Sequence, residues 1–277
     1  MEEASIRPAR LEEGTRLQAI FVGPREPWSG TVAYLDGIQR FEVIGYAGSS
    51  PIVLGEISAA VRERQERTLR TRAQARHRIA FARASVLRAV AEALSGVELR
   101  PLPDEESAHP LRDMLNAVRA LEQARWSLMV EVGERYRAES DGWLVIDGSL
   151  AESPGWAADS RAIGIAKSHP VLPFQGRELE EYLRLPEGHR SSIYSPVSRS
   201  PAPIRAWGLR LWPWEGRDLL YGLVRIEVAP ANATTDMADR ISRWLLSERS
   251  PVSAPDRHWD RLLYGIYSVE QYLRARM

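Results

Sequence analysis

Two short hydrophobic runs that each end in Asp-Gly place the strongest constraint on how this chain can fold. Residues 31–35 lead into Asp36, and residues 142–146 lead into Asp147. Two buried strands that each deliver an aspartate at the carboxyl end can bring acidic ligands together around a divalent metal ion. Asp-Gly between apolar runs is also the strongest short-range hairpin signal, and this alternative stays open for Asp36. After Asp147, residues 149–155 predict a loop and no returning strand.

The composition indicates a globular protein and excludes several kinds of chemistry. The 277 residues are 44% hydrophobic and include nine tryptophans, which is enough for a sizeable core. The absence of cysteine excludes disulfides, thiolate zinc sites and cysteine nucleophiles. No apolar run reaches the roughly eighteen residues of a membrane span, and the acidic residues 1–5 lack the apolar core of a secretory signal. We therefore expect a cytoplasmic protein that does not contact a membrane.

The hydrophobic periodicity predicts an α/β fold with a mixed sheet. The predicted strands cover 31–36, 39–46, 51–57, 142–147, 161–167, 204–212 and 219–229, and the predicted helices cover 58–94, 111–136, 234–247 and 259–275. Three antiparallel strands, a helix and a fourth strand beside the first form the RNase H-like order. We therefore expect an RNase H-like mixed sheet with an inserted helical arm and C-terminal helices. This would be one domain over 1–277, with a sheet core at 29–57 and 105–230, a helical insertion at 58–100 and closing helices at 231–277.

A third carboxylate is expected from the helix at 111–136, because two aspartates alone make a weak metal site. The candidates on this helix are Glu122, Glu131 and Glu134. A strand rises about 3.3 Å per residue and a helix about 1.5 Å, and this comparison places Glu122 level with the second aspartate. We predict that Asp36, Glu122 and Asp147 bind Mg²⁺ or Mn²⁺, with Glu131 as the reserve candidate.

Three further features add to this hypothesis. Lys167 is the only lysine among 37 basic residues, and the others are arginines. A GC-rich genome explains this preference for arginine. A compact ammonium also suits a phosphate or a metal-bound oxygen, so Lys167 is a candidate site residue. His169 follows the same predicted strand and is either a satisfied polar residue or part of the site. Residues 62–88 carry nine arginines against two glutamates, which is either a solvated helix face or a surface for phosphates. No Gly-x-Ser-x-Gly elbow and no Walker loop is present, so the sequence offers no support for those two hydrolase classes.

Seven segments in chain order resemble the NurA nucleases, especially their bacterial branch. Together they cover nearly the whole chain from residue 30. The segments are Leu35–Arg40, Val145–Leu150, Ile163–His169, Pro186–Arg190, Ala206–Leu211, Gly222–Val228 and Asp256–Arg274.

The resemblance implies an RNase H-like core, homodimerisation and metal-dependent DNA cleavage, often with Mn²⁺. It also implies docking to a hexameric HerA-type ATPase for DNA end processing or anti-phage defence. Asp36 and Asp147 fall on the family's two aspartate motifs, Glu122 falls on its helical Arg-x-x-Glu-like segment, and His258 loosely matches its C-terminal histidine. The resulting hypothesis is a nuclease in which Lys167 and His169 handle the scissile phosphate. A catalytically silent NurA-like adaptor, and an unrelated module in which Asp-Gly only forms turns, are the alternatives.

Overall fold

The computed structural model describes residues 4–66, 68–103, 109–197, 202–250 and 263–277. Within these ranges the chain forms fourteen strands and six α-helices. The strands are β1 (Ser5–Ile6), β2 (Arg10–Leu11), β3 (Ala19–Phe21), β4 (Val32–Ala47), β5 (Ser50–Gln65), β6 (Thr68–Arg83), β7 (Glu98–Leu102), β8 (Trp143–Asp147), β9 (Ala162–Ala166), β10 (Val171–Leu172), β11 (His189–Ser191), β12 (Tyr194–Ser195), β13 (Arg205–Arg210) and β14 (Leu223–Val228). The helices are α1 (Ala84–Val90), α2 (Pro110–Arg137), α3 (Pro154–Ala158), α4 (Gly176–Leu183), α5 (Thr235–Glu248) and α6 (Tyr264–Arg274).

The chain divides into two compact units. The first unit comprises Met1–Leu35, Glu63–Arg70 and Asp141–Ser268. The second unit comprises Asp36–Arg62, Thr71–Ser140 and Val269–Met277. The chain therefore passes from one unit to the other within the long strands β4, β5 and β6.

In the first unit, a mixed sheet has β8 near its centre. Its strand order is β2-β12-β13-β14-β9-β8-β4. β8 pairs in parallel with β4 on one side and with β9 on the other, and the registers place Ile146 opposite Leu35 and Gly164. The side chains of residues 144–146 are fully buried, as a continuous apolar run in a strand covered on both faces should be. This confirms the predicted pairing of the first strand with the strand that follows the long helix.

In the second unit, the strand order is β4-β5-β6-β7, and α2 packs on the sheet. β4 and β5 form a hairpin whose turn contains Gly48 at a φ of 60°, in the left-handed region that glycine adopts without strain. A side chain at Gly37 or Gly55 would collide with Met129 or Leu121 of α2, at 2.6 and 2.4 Å. Close approach of the helix to the sheet therefore depends on these two glycines.

Two predicted elements were wrong. Asp36-Gly37 is not a turn, because β4 continues as one strand of sixteen residues from Val32 to Ala47. The helical arm predicted over 58–94, and with it the helical insertion at 58–100, is instead the second half of β5, all of β6, the short helix α1 and β7. Residues 68–76 alternate between arginine or another polar residue and a smaller or apolar one, which is the period of a strand. The helix was predicted from the apolar positions Val61, Leu69, Ala73 and Ile79, whose spacing does not exclude a strand.

The remaining predicted elements are confirmed in outline. The long helix, the strands at 142–147 and 161–167, the antiparallel pair near 204–229 and the helix at 234–247 correspond to α2, β8, β9, β13 with β14, and α5. The last predicted helix begins later than expected, at Tyr264. The fold is mixed α/β with a large mixed sheet, and none of the helices in the described ranges is long and apolar enough to cross a membrane.

Candidate active site

The carboxyl ends of β8 and β9 bring Asp147 and Lys167 together in the first unit. Asp147 is the last residue of β8, and Lys167 directly follows β9. Because the two strands are parallel neighbours, their carboxyl ends meet at the same edge of the sheet. The Lys167 Nζ lies 3.0 Å from the Asp147 Oδ2, and the two side chains are 11% and 23% exposed. The one lysine of the chain is therefore an ion-pair partner of a predicted metal ligand.

The backbone beyond Asp147 is held close to β9 by two glycines. Gly148 has a φ of 130°, in the region that favours glycine, and its N–H donates to the Ile165 carbonyl at 2.9 Å. A side chain at Gly164 would lie 2.8 Å from the Gly148 carbonyl oxygen. These contacts leave the turn after Asp147 little freedom, which limits the positions that the carboxylate can adopt.

The buried carboxylate of Glu227 on β14 binds the turn that follows Asp147. This role was not predicted from the sequence. The Glu227 side chain is 1% exposed. One carboxylate oxygen accepts hydrogen bonds from the Ser149 hydroxyl at 2.7 Å and the Leu150 N–H at 2.8 Å. The other accepts from the Arg225 Nε at 2.8 Å. The available signal was a glutamate and an arginine two residues apart in an otherwise apolar strand, which indicates a buried pair.

The Arg225 side chain is held as a cation by this arrangement. Burial lowers its pKa, but the Glu227 carboxylate, with smaller contributions from Tyr194 and Tyr182, outweighs burial and raises the pKa above its ordinary value. The pair therefore contains a charged guanidinium that is mostly removed from solvent. Breaking it would leave a buried charge without its counterion.

His169 lies near the site but is used for a backbone contact. Its Nε2 is 3.0 Å from the Leu223 carbonyl oxygen, which identifies Nε2 as the protonated nitrogen. The pKa of His169 is lowered to about 4, mainly by burial and to a smaller extent by the positive charges of Arg225 and Arg210, against the opposing effect of the hydrogen bond to Leu223. The imidazole is therefore neutral near pH 7 and carries no positive charge for a phosphate.

Asp36 belongs to the second unit, where it is the first residue. Its carboxylate is buried, and Oδ1 accepts the Gly37 N–H at 2.7 Å. The Arg125 guanidinium of α2 donates to the Gly37 carbonyl at 3.1 Å and to the Gln39 side-chain oxygen at 3.2 Å. The helix residue that contacts β4 just beyond Asp36 is thus an arginine and not a carboxylate.

The three candidates for a third carboxylate lie at other positions of α2, and Glu134 is exposed. Glu122 is half-buried and sits about one turn before Arg125, and it makes no hydrogen bond or ion pair with the described residues. Glu131 is 56% exposed and lies 3.8 Å from Arg135. The position of α2 against β4 and β5 is set by where Gly37 and Gly55 permit the helix to touch the strands. His258 lies outside the described residues.

Within the described ranges the acidic residues form no three-carboxylate cage, and they suit a metal ion held by few protein ligands. Among the residues that the structure describes, no group of three or more histidine, aspartate or glutamate side chains is close enough to hold a metal. Mg²⁺ and similar hard cations are, however, commonly held by one or two carboxylates together with waters and substrate phosphates. A carboxylate at a strand end with a lysine beside it fits that chemistry.

The fold is similar to that of a solved nuclease. The crystal structure of the NurA nuclease from Sulfolobus solfataricus matches with a TM-score of 0.57 and 8% sequence identity, over 90% of this chain and 80% of that chain. At this identity the likeness establishes the fold, and the chain is NurA-like in its architecture. The strand after the long helix lies beside the first strand, as predicted, but the first two predicted strands are both part of β4, and β6, α1 and β7 come between β5 and the long helix.

Endonuclease V from Bacillus subtilis gives a weaker match, with a TM-score of 0.36, 13% identity and coverage of 89% of this chain and 81% of that chain. A TM-score this low supports no argument about fold or function. No protein-family model and no curated protein matches the sequence.

Proposed function

We propose that this protein is a metal-dependent nuclease that hydrolyses phosphodiester bonds in DNA. The observation that carries the proposal is the pairing of Lys167 with Asp147 at the carboxyl ends of two neighbouring parallel strands. The likeness of the fold to that of a solved nuclease supports it.

Asp36 and Asp147 are the proposed metal ligands. Leu35 and Ile146 are paired in register, and the two aspartates are the residues that follow them along the chain. Mn²⁺ or Mg²⁺ bound there would activate water and stabilise the charge of the leaving oxygen. Glu122 stays a prediction as a third ligand, and its replacement by glutamine would test it separately.

Lys167 is the proposed phosphate-binding residue. In the free protein its ammonium neutralises Asp147. When a phosphodiester enters, the same ammonium can donate to a phosphate oxygen without moving far, because an ammonium has three rotatable N–H donors. It would then stabilise the negative charge that develops on the phosphate in the transition state. The Glu227 network holds the turn after Asp147 in place while this happens.

The sequence resemblance also leads us to propose a homodimer that docks on a hexameric HerA-type ATPase. We propose that the protein works with this translocase in DNA end processing or anti-phage defence. Co-elution of the two purified proteins in size-exclusion chromatography would test the docking.

The nuclease proposal is tested by incubating the purified protein with labelled linear DNA and Mn²⁺ or Mg²⁺, with and without the ATPase. We expect cleavage by the wild type and none by Asp147→Asn. Asp236→Asn is the matched control, because it makes the same chemical change on an exposed residue in the first turn of α5. Cleavage that persisted in Asp147→Asn would refute the proposed site. DNA or ATPase binding without any cleavage by the wild type would favour the adaptor alternative.

A further inference from the structure

The loop between β13 and β14, residues 211–222, lies in the first unit at the same sheet edge as the proposed active site. β14 runs antiparallel to β9, so its first residue lies beside the carboxyl end of β9, where the His169 Nε2 is 3.0 Å from the Leu223 carbonyl oxygen. Continuing the β9–β14 register by one residue places Lys167 opposite Val224. The end of the loop is therefore two residues, or roughly 7 Å, beyond the row of Lys167. This is about two nucleotides along a DNA strand.

A buried arginine holds this loop in place. Arg210, the last residue of β13, is fully buried, and its guanidinium donates to four backbone carbonyls. Two acceptors belong to the loop, Leu219 at 3.0 Å and Tyr221. The other two lie at the end of α4, Leu183 at 2.5 Å and Leu185 at 3.1 Å. One guanidinium therefore fixes the loop and the end of α4 relative to each other.

Arg210 also carries a charge that lacks a direct counterion. Buried charges are ordinarily paired, as Arg225 is with Glu227 at 2.8 Å. Arg210 makes no ion pair with the described residues, and Glu215 of the loop attracts it only at longer range. Burial lowers the pKa of Arg210 to about 10, so the side chain is still charged near neutral pH. The carbonyls satisfy its donors and leave a positive charge beneath the loop, which favours an anion on the surface above it.

Two exposed arginines present N–H groups on this surface. Arg217 lies over the Tyr221 ring, with 4.5 Å between the guanidinium carbon and the ring centroid. Arg184, at the end of α4, lies over the Trp214 ring at 6.0 Å. Neither arginine side chain makes a hydrogen bond or an ion pair with the described part of the chain. A guanidinium on a ring uses its face, so the N–H groups in its plane stay available to an acceptor.

Two acidic residues in the loop oppose an anion to different degrees. The Asp218 Oδ1 accepts the Leu220 N–H at 2.8 Å, so this carboxylate supports the loop backbone. Glu215 is exposed and makes no hydrogen bond with the described residues. Neutralising Glu215 should therefore strengthen the binding of an anion, whereas neutralising Arg217 or Arg184 should weaken it.

The position of the loop beside the proposed active site identifies the ligand. A DNA strand with a phosphodiester on Lys167 continues on both sides of that bond, and a strand that crosses β14 meets the loop. Arginine suits the next phosphates, because two of its N–H groups can donate to one phosphate. We infer that the loop binds the backbone of the nucleic-acid substrate beside the scissile phosphate, through Arg217 and Arg184. The inference rests on the proposed function and adds a substrate-binding surface to it.

The test is fluorescence anisotropy of the full-length protein with a labelled linear DNA duplex and with its single strand, in EDTA to prevent cleavage. We expect Arg217→Gln and Arg184→Gln each to weaken binding roughly fivefold to tenfold at 0.1 M salt. The slope of log affinity against log salt should become shallower by about 0.9 on the duplex or about 0.7 on the single strand, the values for one phosphate contact. Glu215→Gln should strengthen binding. Arg240→Gln is the matched control, because Arg240 is an exposed arginine on α5, and it should leave binding within about twofold.

Cleavage kinetics separate a contact beside the scissile phosphate from one on the reacting atoms. Arg217→Gln should raise KM for DNA cleavage about as much as it weakens binding and leave kcat within about twofold, because the contact is the same before and in the transition state. Lys167→Ala should instead lower kcat. A lowered kcat with unchanged KM in Arg217→Gln would overturn the assignment of this residue.

Two further results would overturn the inference. Equal effects of Arg217→Gln and Arg240→Gln would show that these arginines act only through general charge. Unchanged DNA binding together with lost co-elution of the ATPase would assign the loop to a protein partner. Circular dichroism of each variant separates these results from misfolding. If Arg217→Gln weakened binding in EDTA while the wild type cleaved no DNA with either metal, the loop would stand as a nucleic-acid-binding surface and the nuclease proposal would fail.

Discussion

Replacing Glu227 by glutamine should destabilise the fold and displace the turn that carries Asp147. The change keeps the size of the side chain and removes its charge. It also puts an amide NH₂ where only acceptors now stand, so this NH₂ faces either the Arg225 Nε–H or the two donors of residues 149 and 150. Either orientation leaves buried donors without an acceptor.

The expected magnitude follows from the burial of the pair. Removing one partner of a buried ion pair costs about 3–5 kcal/mol. The Arg225 side chain is 18% exposed, so water can solvate part of the unpaired charge. We therefore expect a loss at the lower end of this range, about 3 kcal/mol. For a chain of this size 1 kcal/mol corresponds to roughly 2–4 °C, which predicts a fall in melting temperature of about 6–12 °C. Arginine does not deprotonate near neutral pH, so Arg225 cannot avoid this penalty by losing its charge.

The assay is differential scanning fluorimetry of the wild type, Glu227→Gln and the control Glu98→Gln. Glu98 forms an ion pair with Arg100 in which both side chains are 43% exposed, so the same substitution should cost less than about 1 kcal/mol. At a temperature where Glu227→Gln is still folded, we expect kcat for DNA cleavage to fall by about a hundredfold with little change in KM, because the carboxylate of Asp147 is displaced. A melting temperature within 2 °C of wild type would refute the view that Glu227 anchors this turn.

Three further predictions concern the same region. Asp147→Asn should leave the free energy of unfolding in urea within about 1 kcal/mol of wild type, because asparagine keeps an oxygen that accepts from the Lys167 ammonium and the side chain at this position is 23% exposed; a larger loss would give Asp147 a structural role. Gly164→Ala should cost about 1–3 kcal/mol, because the new methyl group meets the Gly148 carbonyl oxygen at 2.8 Å, whereas Gly45→Ala, with its nearest contact at 4.0 Å, should be nearly neutral in the same urea experiment. The folded protein holds the pKa of His169 near 4 instead of 6.5, so the unfolded chain takes up a proton first as the pH falls. The stability that depends on neutral His169 is therefore full above pH 6.5 and is lost between pH 6.5 and 4, by at most roughly 1.4 kcal/mol per pH unit. His169→Gln should flatten this part of the melting-temperature profile, and an unchanged profile would contradict it.

Patterns within single elements were enough to predict part of the architecture. The continuous apolar run before Asp147 marked a buried strand, and the periodic residues after Pro110 marked the helix that ends at Arg137. The order of these elements then predicted that β8 lies beside β4, because a crossover helix returns the chain to the sheet in one preferred sense. Each of these features depends on local periodicity and chain connectivity, and both can be read from the sequence.

The segment from Ser58 to Leu94 shows where local patterns fail. Its small and apolar residues match both a helix and a strand, so the sequence alone did not distinguish them. The strands β5 and β6 form because each pairs with neighbours in the sheet, and those partners lie far away in the chain or across a turn. Local propensity does not include the hydrogen bonds that such pairing supplies.

For the candidate site, too, the sequence predicted some features and only the tertiary structure showed the others. The sequence alone pointed to Asp147 and to the unusual single lysine, because strand ends and residue types are local properties. Only the tertiary structure put Lys167 3.0 Å from Asp147 and placed Glu227 beneath the turn. It also set Arg125, and not a glutamate, against β4 just beyond Asp36. These contacts join residues from separate elements, and their distances follow from strand register and from the glycines that allow close approach, which no local pattern in the sequence specifies.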